Sequence, residues 1–326
     1  MEDTAPLRRD GAGLRYYARM LSWLVIGIGD ITRKRVLPAI LAEPRRRLAG
    51  IVTRDPAKAA AYGVPSWTDL TTALAESDAT LVYVASPVFL HAPQTIESLR
   101  AGRHVLCEKP MAVNYAEAAA MQKASEETRH TLGIAYYRRM YPKVDRAREL
   151  MEAGAIGRPV FAEATAHDWF NPLDSQRAWL ADPKLSGGGP LRDTASHRID
   201  LMNYLFGKPI RATGEVSTLV QPLDVDDNAT VVIEYEGGVR GVVDARWHSR
   251  VVRDEFRVRG TEGELDLSPL NGPELVHPGG VENIPAPSNL HYPCIADFVS
   301  AIEREILPRS YGESALAAEW VMSEVV

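Results

Sequence analysis

Up to about residue 137, short apolar runs alternate with longer stretches in which apolar positions recur at helical spacing. Trp23–Ile28 is the first apolar run, and Val36–Ala42 carries the first helical pattern. Leu48–Thr53 is the second run, and Pro56–Tyr62 begins the second helix. Ala79–Ser86 reads as a further strand that stops at Pro87, and Pro93–Ala101 as a helix that Gly102 stops, glycine being the common left-handed residue past a helix end. His104–Cys107 follows as a strand. Asn114 with Glu117 three residues on has the form of a helix cap, and Thr131–Tyr136 closes the series. Runs this short, apolar throughout and separated by helices, predict a parallel sheet buried on both faces.

Beyond about residue 140 the pattern changes. Lys143–Ala153 predicts a helix ended by Gly154, Val160–His167 alternates like a half-buried strand, and a helix is predicted after Gly187-Gly188-Gly189. Ala229–Glu236, Val239–His248 and Glu255–Gly260 are strand-like, and Glu236-Gly237-Gly238 and Thr261-Glu262-Gly263 have the composition of hairpin turns. Tyr292–Ile306 is helical by spacing. The expected organisation is α/β. Residues 1–19 form an extension without a packing pattern, 20–138 a doubly wound dinucleotide-binding domain, and 139–326 an α/β domain with a large, open, mostly antiparallel sheet.

Composition narrows the function. The 326 residues carry a net charge of −6, which disfavours a nucleic-acid partner held by phosphate neutralisation. No apolar stretch is long enough to span a bilayer. Arg8-Arg9 precedes the apolar stretch Leu21 to Ile28, as in a twin-arginine signal, but no small-residue cleavage site separates that stretch from the glycine turn after it. Two cysteines cannot frame a disulfide-stapled fold, and a reducing cytoplasm is the expected location. No metal site is expected.

Chemistry concentrates at the strand ends. Gly27-Ile28-Gly29-Asp30-Ile31-Thr32 matches G-x-G-x-x-G at its first two glycines, which allow a tight turn and close approach of a pyrophosphate; Thr32 replaces the third. The second strand ends in Thr53-Arg54, where an acidic residue would mark NAD. A hydroxyl followed by a guanidinium suits the 2′-phosphate of NADP better, and NADP is the expected cofactor with NAD as the alternative. Ser86-Pro87 ends a central strand with His91 four residues on, either a ribose contact or a helix cap. Cys107-Glu108-Lys109-Pro110 places Glu108 and Lys109 just past the next strand, where an amine can polarise a carbonyl or take a hydroxyl proton. Asp193 and His197 stand at i and i+4 of the predicted helix, after three glycines that admit another backbone or a ligand.

Glu108-Lys109-Pro110, Ser86-Pro87 with His91, the glycine run with Asp193, His197 and Asp200, and His291-Tyr292-Pro293 with Asp297-Phe298 together resemble the Gfo/Idh/MocA oxidoreductases over nearly all of the chain from about Met20. The resemblance implies NAD(P)-dependent oxidation or reduction of sugars or cyclic polyols, with Lys109 catalytic and Asp193 and His197 its partners across the cleft. Thr32, Ala195 and Tyr137 depart from the usual pattern. Tyr137, Trp169, Asn171, Arg177 and Trp179, with Asp193 and His197, are expected around a carbohydrate-like substrate. The resemblance also suggests an exposed apolar sheet face covered by another subunit, hence a homodimer or homotetramer. Two other readings share the cofactor site: a glycosidase working through transient oxidation, and a non-catalytic sugar or cofactor sensor.

Overall fold

A computed structural model describes residues 21–175 and 177–326; of the preceding stretch it describes only the antiparallel pairing of Arg8–Arg9 with Arg15–Tyr16. The remaining expectations for residues 1–19 lie outside the described residues. The first domain holds six parallel strands: β1 (Leu21–Ile26), β2 (Arg46–Val52), β3 (Ser66–Trp67), β4 (Leu81–Val84), β5 (His104–Cys107) and β6 (Leu132–Ile134). Their order is β3-β2-β1-β4-β5-β6, so the sheet reverses direction of growth between β1 and β4. At such a switch point the strand ends part and leave a crevice. Trp23, Leu24 and Val25 in β1, all of β4, and Val105 in β5 are essentially sealed from solvent, as the unbroken apolar runs require.

Helices α1 (Leu37–Ala42), α2 (Pro56–Ala59), α3 (Leu70–Glu76), α4 (His91–Arg100) and α5 (Tyr115–Thr128) connect these strands. Their starts are local chemistry. Asp55 accepts from the Ala57 amide, Asp69 from Thr72 and Asn114 from Glu117, each satisfying an N–H that the helix leaves unpaired. Gly102 ends α4 region at φ +77°, a conformation other residues enter at a cost.

Helix α6 (Pro142–Glu152) leads into the second domain. There β7 (Pro159–Trp169) is the central strand, and a short turn, α7 (Pro183–Ser186), precedes α8 (Ser196–Phe206). The rest of the sheet is β8 (Pro209–Ser217), β9 (Asn228–Tyr235), β10 (Arg240–Arg246), β11 (His248–Gly260), β12 (Glu264–Asp266), β13 (Glu274–His277) and β14 (Gly280–Asn283). The order is β8-β9-β10-β7-β11-β12-β13-β14; every pair is antiparallel except β10 with β7. Both expected hairpins are present, between β9 and β10 and between β11 and β12. The apolar run read as Val239–His248 is broken at Trp247, whose side chain leaves the sheet to pack edge-on against Phe170.

The two faces of this sheet differ in character. The core-facing side is apolar, through Ala162, Ala164, Ala166, Val231, Ile233, Phe256 and Val258. The opposite side mixes ion pairs with apolar groups, among them Phe161, Trp169, Val232 and Val242. Glu163 meets Arg259 at 2.7 Å, Arg257 meets Asp266 at 2.9 Å, Arg253 meets Glu255 at 2.8 Å, and Asp244 takes both His167 and Arg246. The period-two alternation of β7, small apolar residues in and Glu163, Thr165 and His167 out, is the reason.

After β14 the chain returns to the first sheet. Helix α9 (Tyr292–Arg304) brings Phe298 against Trp23, with ring centroids 5.8 Å apart, and the Ser310 carbonyl accepts from the Ile134 amide beside β6. Helix α10 (Gly312–Ser323), which the sequence pattern left unread, packs on α5 and α8. The division at residue 138 thus describes chain order, whereas in space the last two helices join both halves into one continuous apolar cluster. No helix among the described residues is long and apolar enough to cross a membrane.

Phe298 is 1% exposed and fills the space beside Gly133, where a Cβ would lie 3.0 Å from its ring. Phe298→Ala is expected to cost about 3–5 kcal/mol in urea unfolding, the usual loss for an emptied aromatic site. A change within about 0.5 kcal/mol would show that α9 does not anchor the first sheet.

Candidate active site

A cleft of about 1390 Å³ runs from the glycine turn past the ends of β4 and β5 to α8. At one end, Gly27 turns at φ +89°, and a Cβ there would lie 2.7 Å from the Ala85 carbonyl oxygen, so only glycine closes this turn. Nothing lies within 4 Å of a Cβ built on Gly29, which leaves its backbone open to the cleft. Asp30 and Ile31 line the same end and are exposed, with Asp30 held by Lys34 at 2.7 Å. Thr32, in the third glycine's place, is fully buried and opens a π turn, Thr32–Val36, one residue wider per turn than an α-helix. An open backbone turn at a helix start, with Lys34 and Arg35 on the wall, fits a pyrophosphate.

At the end of β2, Thr53 is buried and its Oγ1 accepts from the Asp55 amide at 3.2 Å. The Asp55 carboxylate is engaged as the cap of α2 and lies 3.7 Å from Lys58. Arg54 and Lys58 line this end of the cleft as exposed cations.

The β4 and β5 ends are tied together by buried polar groups. Ser86 Oγ donates to Gln94, and Pro87 starts the turn that leads into α4. His91, read from the sequence as either a ribose contact or a helix cap, is 1% exposed, and both ring nitrogens lie 2.9 Å from carbonyl oxygens, those of Pro110 and Ser86. It lines the cleft and ties the two strand ends together. Glu108 is likewise committed within the protein: it accepts from Tyr83 Oη at 2.8 Å and lies 3.1 Å from His291 Nε2. Burial acts to raise its pKa, but the bond and charge of His291, with Tyr83 and Lys109, outweigh that and hold the carboxyl below its ordinary value.

This scaffold presents Lys109 to the cleft. Its Nζ donates to the Asp193 backbone carbonyl at 2.7 Å and to Asp193 Oδ1 at 3.0 Å. Arg177 donates to the other carboxylate oxygen at 2.8 Å. Burial opposes ionisation of Asp193, yet the charges of Lys109 and Arg177 drive its pKa far below the carboxylate range. Asp193 lies in a π turn, Leu191–Ala195, that runs into α8, and His197 follows in the first α turn. His197 is buried, with the ring of Tyr137 5.1 Å away and edge-on. Its Nδ1 is sealed without a partner, and Nε2 is the nitrogen that reaches the cleft. Burial, then the charges of Arg138, Lys109 and Arg198, push its pKa well below the ordinary value, so the ring is neutral near pH 7.

Two supports were missed in the sequence reading. The Asp226 carboxylate accepts from the amides of Gly189 at 2.6 Å and Leu191 at 3.0 Å, capping the helix that carries Asp193 and His197. A Cβ at Gly189 would lie 1.9 Å from the Asp226 carbonyl, which explains a glycine there. Glu319 in α10 accepts from the Met111 amide at 2.8 Å and pairs with Arg192, so one buried carboxylate locks the loop after Lys109 to the residue before Asp193. Glu319 does carry a signal, as a lone acid among Ala315, Ala318 and Met322 on the buried side of its helix.

The expected substrate residues divide. Tyr137, Arg177 and Trp179 line the cleft with Asp193 and His197. Trp169 and Asn171 do not. Trp169 ends β7 at 40% exposure with the Arg250 guanidinium 4.1 Å over its ring, and Asn171 caps the short turn Pro172–Asp174. Strand alternation carries Trp169 to the open side of the sheet, away from the cleft.

Comparison with known proteins agrees with this geometry. Residues 21–136 match the oxidoreductase family with an NAD-binding Rossmann fold, and residues 144–266 match the GFO/IDH/MocA C-terminal domain. A 1,5-anhydro-D-fructose reductase of Ensifer adhaerens is 28% identical over 91% of this chain and 92% of its own. The dTDP-3,4-didehydro-2,6-dideoxy-alpha-D-glucose 3-reductase of Streptomyces violaceoruber is 30% identical over 82% and 78%. A levoglucosan dehydrogenase solved with NADH superposes with a TM-score of 0.83 at 26% identity, covering 94% of this chain and 95% of that one.

The buried histidines make stability depend on pH. His104 is held down to about 4 by burial and by the nearby charge of His130, and His197 lies well below its ordinary value. Unfolding returns both to about 6.5, so the unfolded chain binds protons that the folded one refuses. Stability is therefore retained above about pH 6.5 and lost as pH falls from there toward the folded values. The urea midpoint should drop between pH 7 and pH 5, with a shallower slope in His104→Gln. An unchanged midpoint over that range would contradict the burial of these rings as neutral groups.

Proposed function

This chain belongs to the GFO/IDH/MocA family of NAD(P)-dependent oxidoreductases, and on that premise we propose that it oxidises an alcohol, or reduces the matching ketone, of a carbohydrate-like substrate bound between Lys109 and His197. NAD(P), when bound, supplies the hydride acceptor or donor. The observation that carries the reading is the junction at the cleft wall: Lys109 anchored on Asp193, with the neutral His197 presenting a free nitrogen to the same space.

The roles follow from what each group has left to offer. An ammonium has three N–H donors. Two directions of Lys109 Nζ are taken by the Asp193 carbonyl and carboxylate, which leaves one for a substrate oxygen. Asp193 is clamped by Lys109 and Arg177 and strongly acidic, so it holds the lysine in place and does not take up the substrate proton. His197 is neutral, and a neutral imidazole accepts one proton. Lys109 therefore holds and polarises the substrate oxygen, and His197 Nε2 takes the hydroxyl proton in oxidation or returns it in reduction. Tyr137 and Trp179 offer ring surfaces on the same wall to the apolar faces of a sugar.

Lys109→Ala should lower kcat by about 10²–10⁴-fold, the usual contribution of such proton-handling groups, while NADP affinity stays within a few-fold. Retained turnover in that variant, followed at 340 nm over a panel of sugars, inositols and keto-sugars with both cofactors, would sink the assignment.

The cofactor read here is NADP. Asp55 lines the cleft at the end of β2, but its carboxylate accepts from the Ala57 amide and lies 3.7 Å from Lys58, which offsets part of its charge toward a 2′-phosphate. Arg54 and Lys58 supply positive charge there, and a guanidinium offers a forked contact to phosphate. Arg54→Ala is expected to weaken NADP binding roughly tenfold to a hundredfold, the worth of one charge-assisted bond, with NAD affinity little changed. Tighter NAD than NADP binding in the unaltered protein would overturn this preference.

A further inference from the structure

Arg138 is a buried cation on the cleft wall that pairs with no carboxylate among the described residues. It is 7% exposed, and no carboxylate oxygen among the described residues lies within 4 Å of it. Its Nη1 donates to Tyr137 Oη and its Nη2 to Asn271 Oδ1, both at 3.3 Å, long bonds to neutral acceptors. Its Nε is sealed without a partner. Other buried arginines are treated differently. Arg139, the next residue, takes both oxygens of Asp200 and reaches Ser314 and the Arg309 carbonyl; Arg192 pairs with Glu319, and Arg198 with Asp254. Arg46 also lacks a carboxylate partner, but it does not line the cleft.

The surroundings sharpen the imbalance. Asn271 stands between Arg138 and the nearest acid in a chain of bonds, accepting from Arg138 through Oδ1 and donating to Asp254 through Nδ2. Asp254 spends its other oxygen on Arg198. Two guanidiniums thus share one carboxylate, and burial together with the charge of Arg138 brings Arg198 down to about 10. At this end of the cleft four cations, Lys109, Arg138, Arg177 and Arg198, stand against three carboxylates: Asp193, Asp254 and Glu108, the last 3.1 Å from His291. A buried guanidinium costs free energy unless an anion pairs with it, and none among the described residues pairs with Arg138. Asn271 and Asp254 belong to the second domain, whereas the phosphate-binding features lie at the glycine turn and the end of β2.

We propose that Arg138 is the receptor for a negatively charged group of the substrate, so that the carbohydrate this protein oxidises or reduces is an acidic one, bearing a carboxylate or a phosphate. The proposal rests on the oxidoreductase reading for the carbon that reacts, but the anion contact is a property of the cleft by itself. A guanidinium recognises either oxyanion by two parallel N–H bonds, and its neutral contacts at 3.3 Å are weak enough to give way.

The test uses the NADP-loaded protein and matched probes: D-glucuronate and D-galacturonate against D-glucose and D-galactose, and D-glucose 6-phosphate against D-glucose. Equilibrium binding by calorimetry and turnover at 340 nm are measured for each. The acidic member of at least one pair should bind roughly tenfold to a hundredfold more tightly than its neutral partner. In Arg138→Gln that preference should collapse, and in Arg138→Lys, which keeps the charge without the fork, it should survive in part. The uronates and the phosphate separate the two sources of negative charge. Equal binding of acidic and neutral members, or an unchanged preference in Arg138→Gln, would overturn the proposal. So would a loss of NADP affinity in Arg138→Gln as large as the loss of sugar affinity, because Arg138 would then serve the cofactor. If Arg138→Gln melts without folding, the comparison of Arg138→Lys with the unaltered protein decides. Anion binding that depends on Arg138 without turnover of any probe would sustain this inference while counting against the oxidoreductase reading, so the two fail separately.

Discussion

The bond between Lys109 and Asp193 sets the requirement that the rest of the structure meets. Its two partners are 84 positions apart, one after a strand of the parallel sheet and one at the head of a second-domain helix. A contact of 2.7–3.0 Å tolerates little slack, so both supports must be held to a fraction of an ångström. Neither is left to loop flexibility. The loop after β5 is bound by Glu108 to Tyr83 and His291, by the Pro110 carbonyl to His91, and by the Met111 amide to Glu319. The helix start opposite is capped by Asp226 and bound by Arg192 to the same Glu319. Glu319 is thus the point at which the two halves of the site are measured against each other, and it sits on a helix that also packs on α5 and α8.

The same economy explains two cleft-lining residues whose polar atoms are engaged inside the protein. His91 and Glu108 are polar, lie at strand ends beside a cleft, and belong to a recognisable pattern, yet their polar atoms are spent inside the protein. Buried polar groups need partners, and at a switch point of a parallel sheet the nearest partners are the carbonyls and carboxylates of neighbouring strand ends. Such residues serve the reaction by fixing the backbone that carries Lys109.

Electrostatics divides the cleft into two regions. The glycine turn and the end of β2 carry Lys34, Arg35, Arg54 and Lys58, which are half-buried or exposed and suited to phosphates. The far end carries Lys109, Arg138, Arg177 and Arg198 around Asp193, Asp254 and Glu108, in a setting where burial leaves His197 neutral. Positive charge held there out of water does two things together. It keeps a proton acceptor free at neutral pH, and it leaves a guanidinium in want of an anion.

Local chemistry alone determined the first domain. Fully apolar runs of strand length, glycines where the chain must turn left-handed, and aspartate and asparagine caps act over a few residues and can be read in order. It also determined Gly27, Gly29, Lys109, Asp193 and His197 as the residues of the cleft, because each stands at a strand end or helix start that the pattern marks. It did not determine who meets whom. Trp169 and Trp179 look alike in the chain, and only the pleat of β7 sends the first to the ion-paired face while the second lines the cleft. Asp226, Glu319 and Asn271 are ordinary polar residues of a loop, a helix and a turn, and their roles come from partners 35 to 208 positions away. Whether a buried charge is paired is a fact of three-dimensional neighbours. Arg138 and Arg139 are adjacent in sequence, and packing alone gave a carboxylate to one and not to the other.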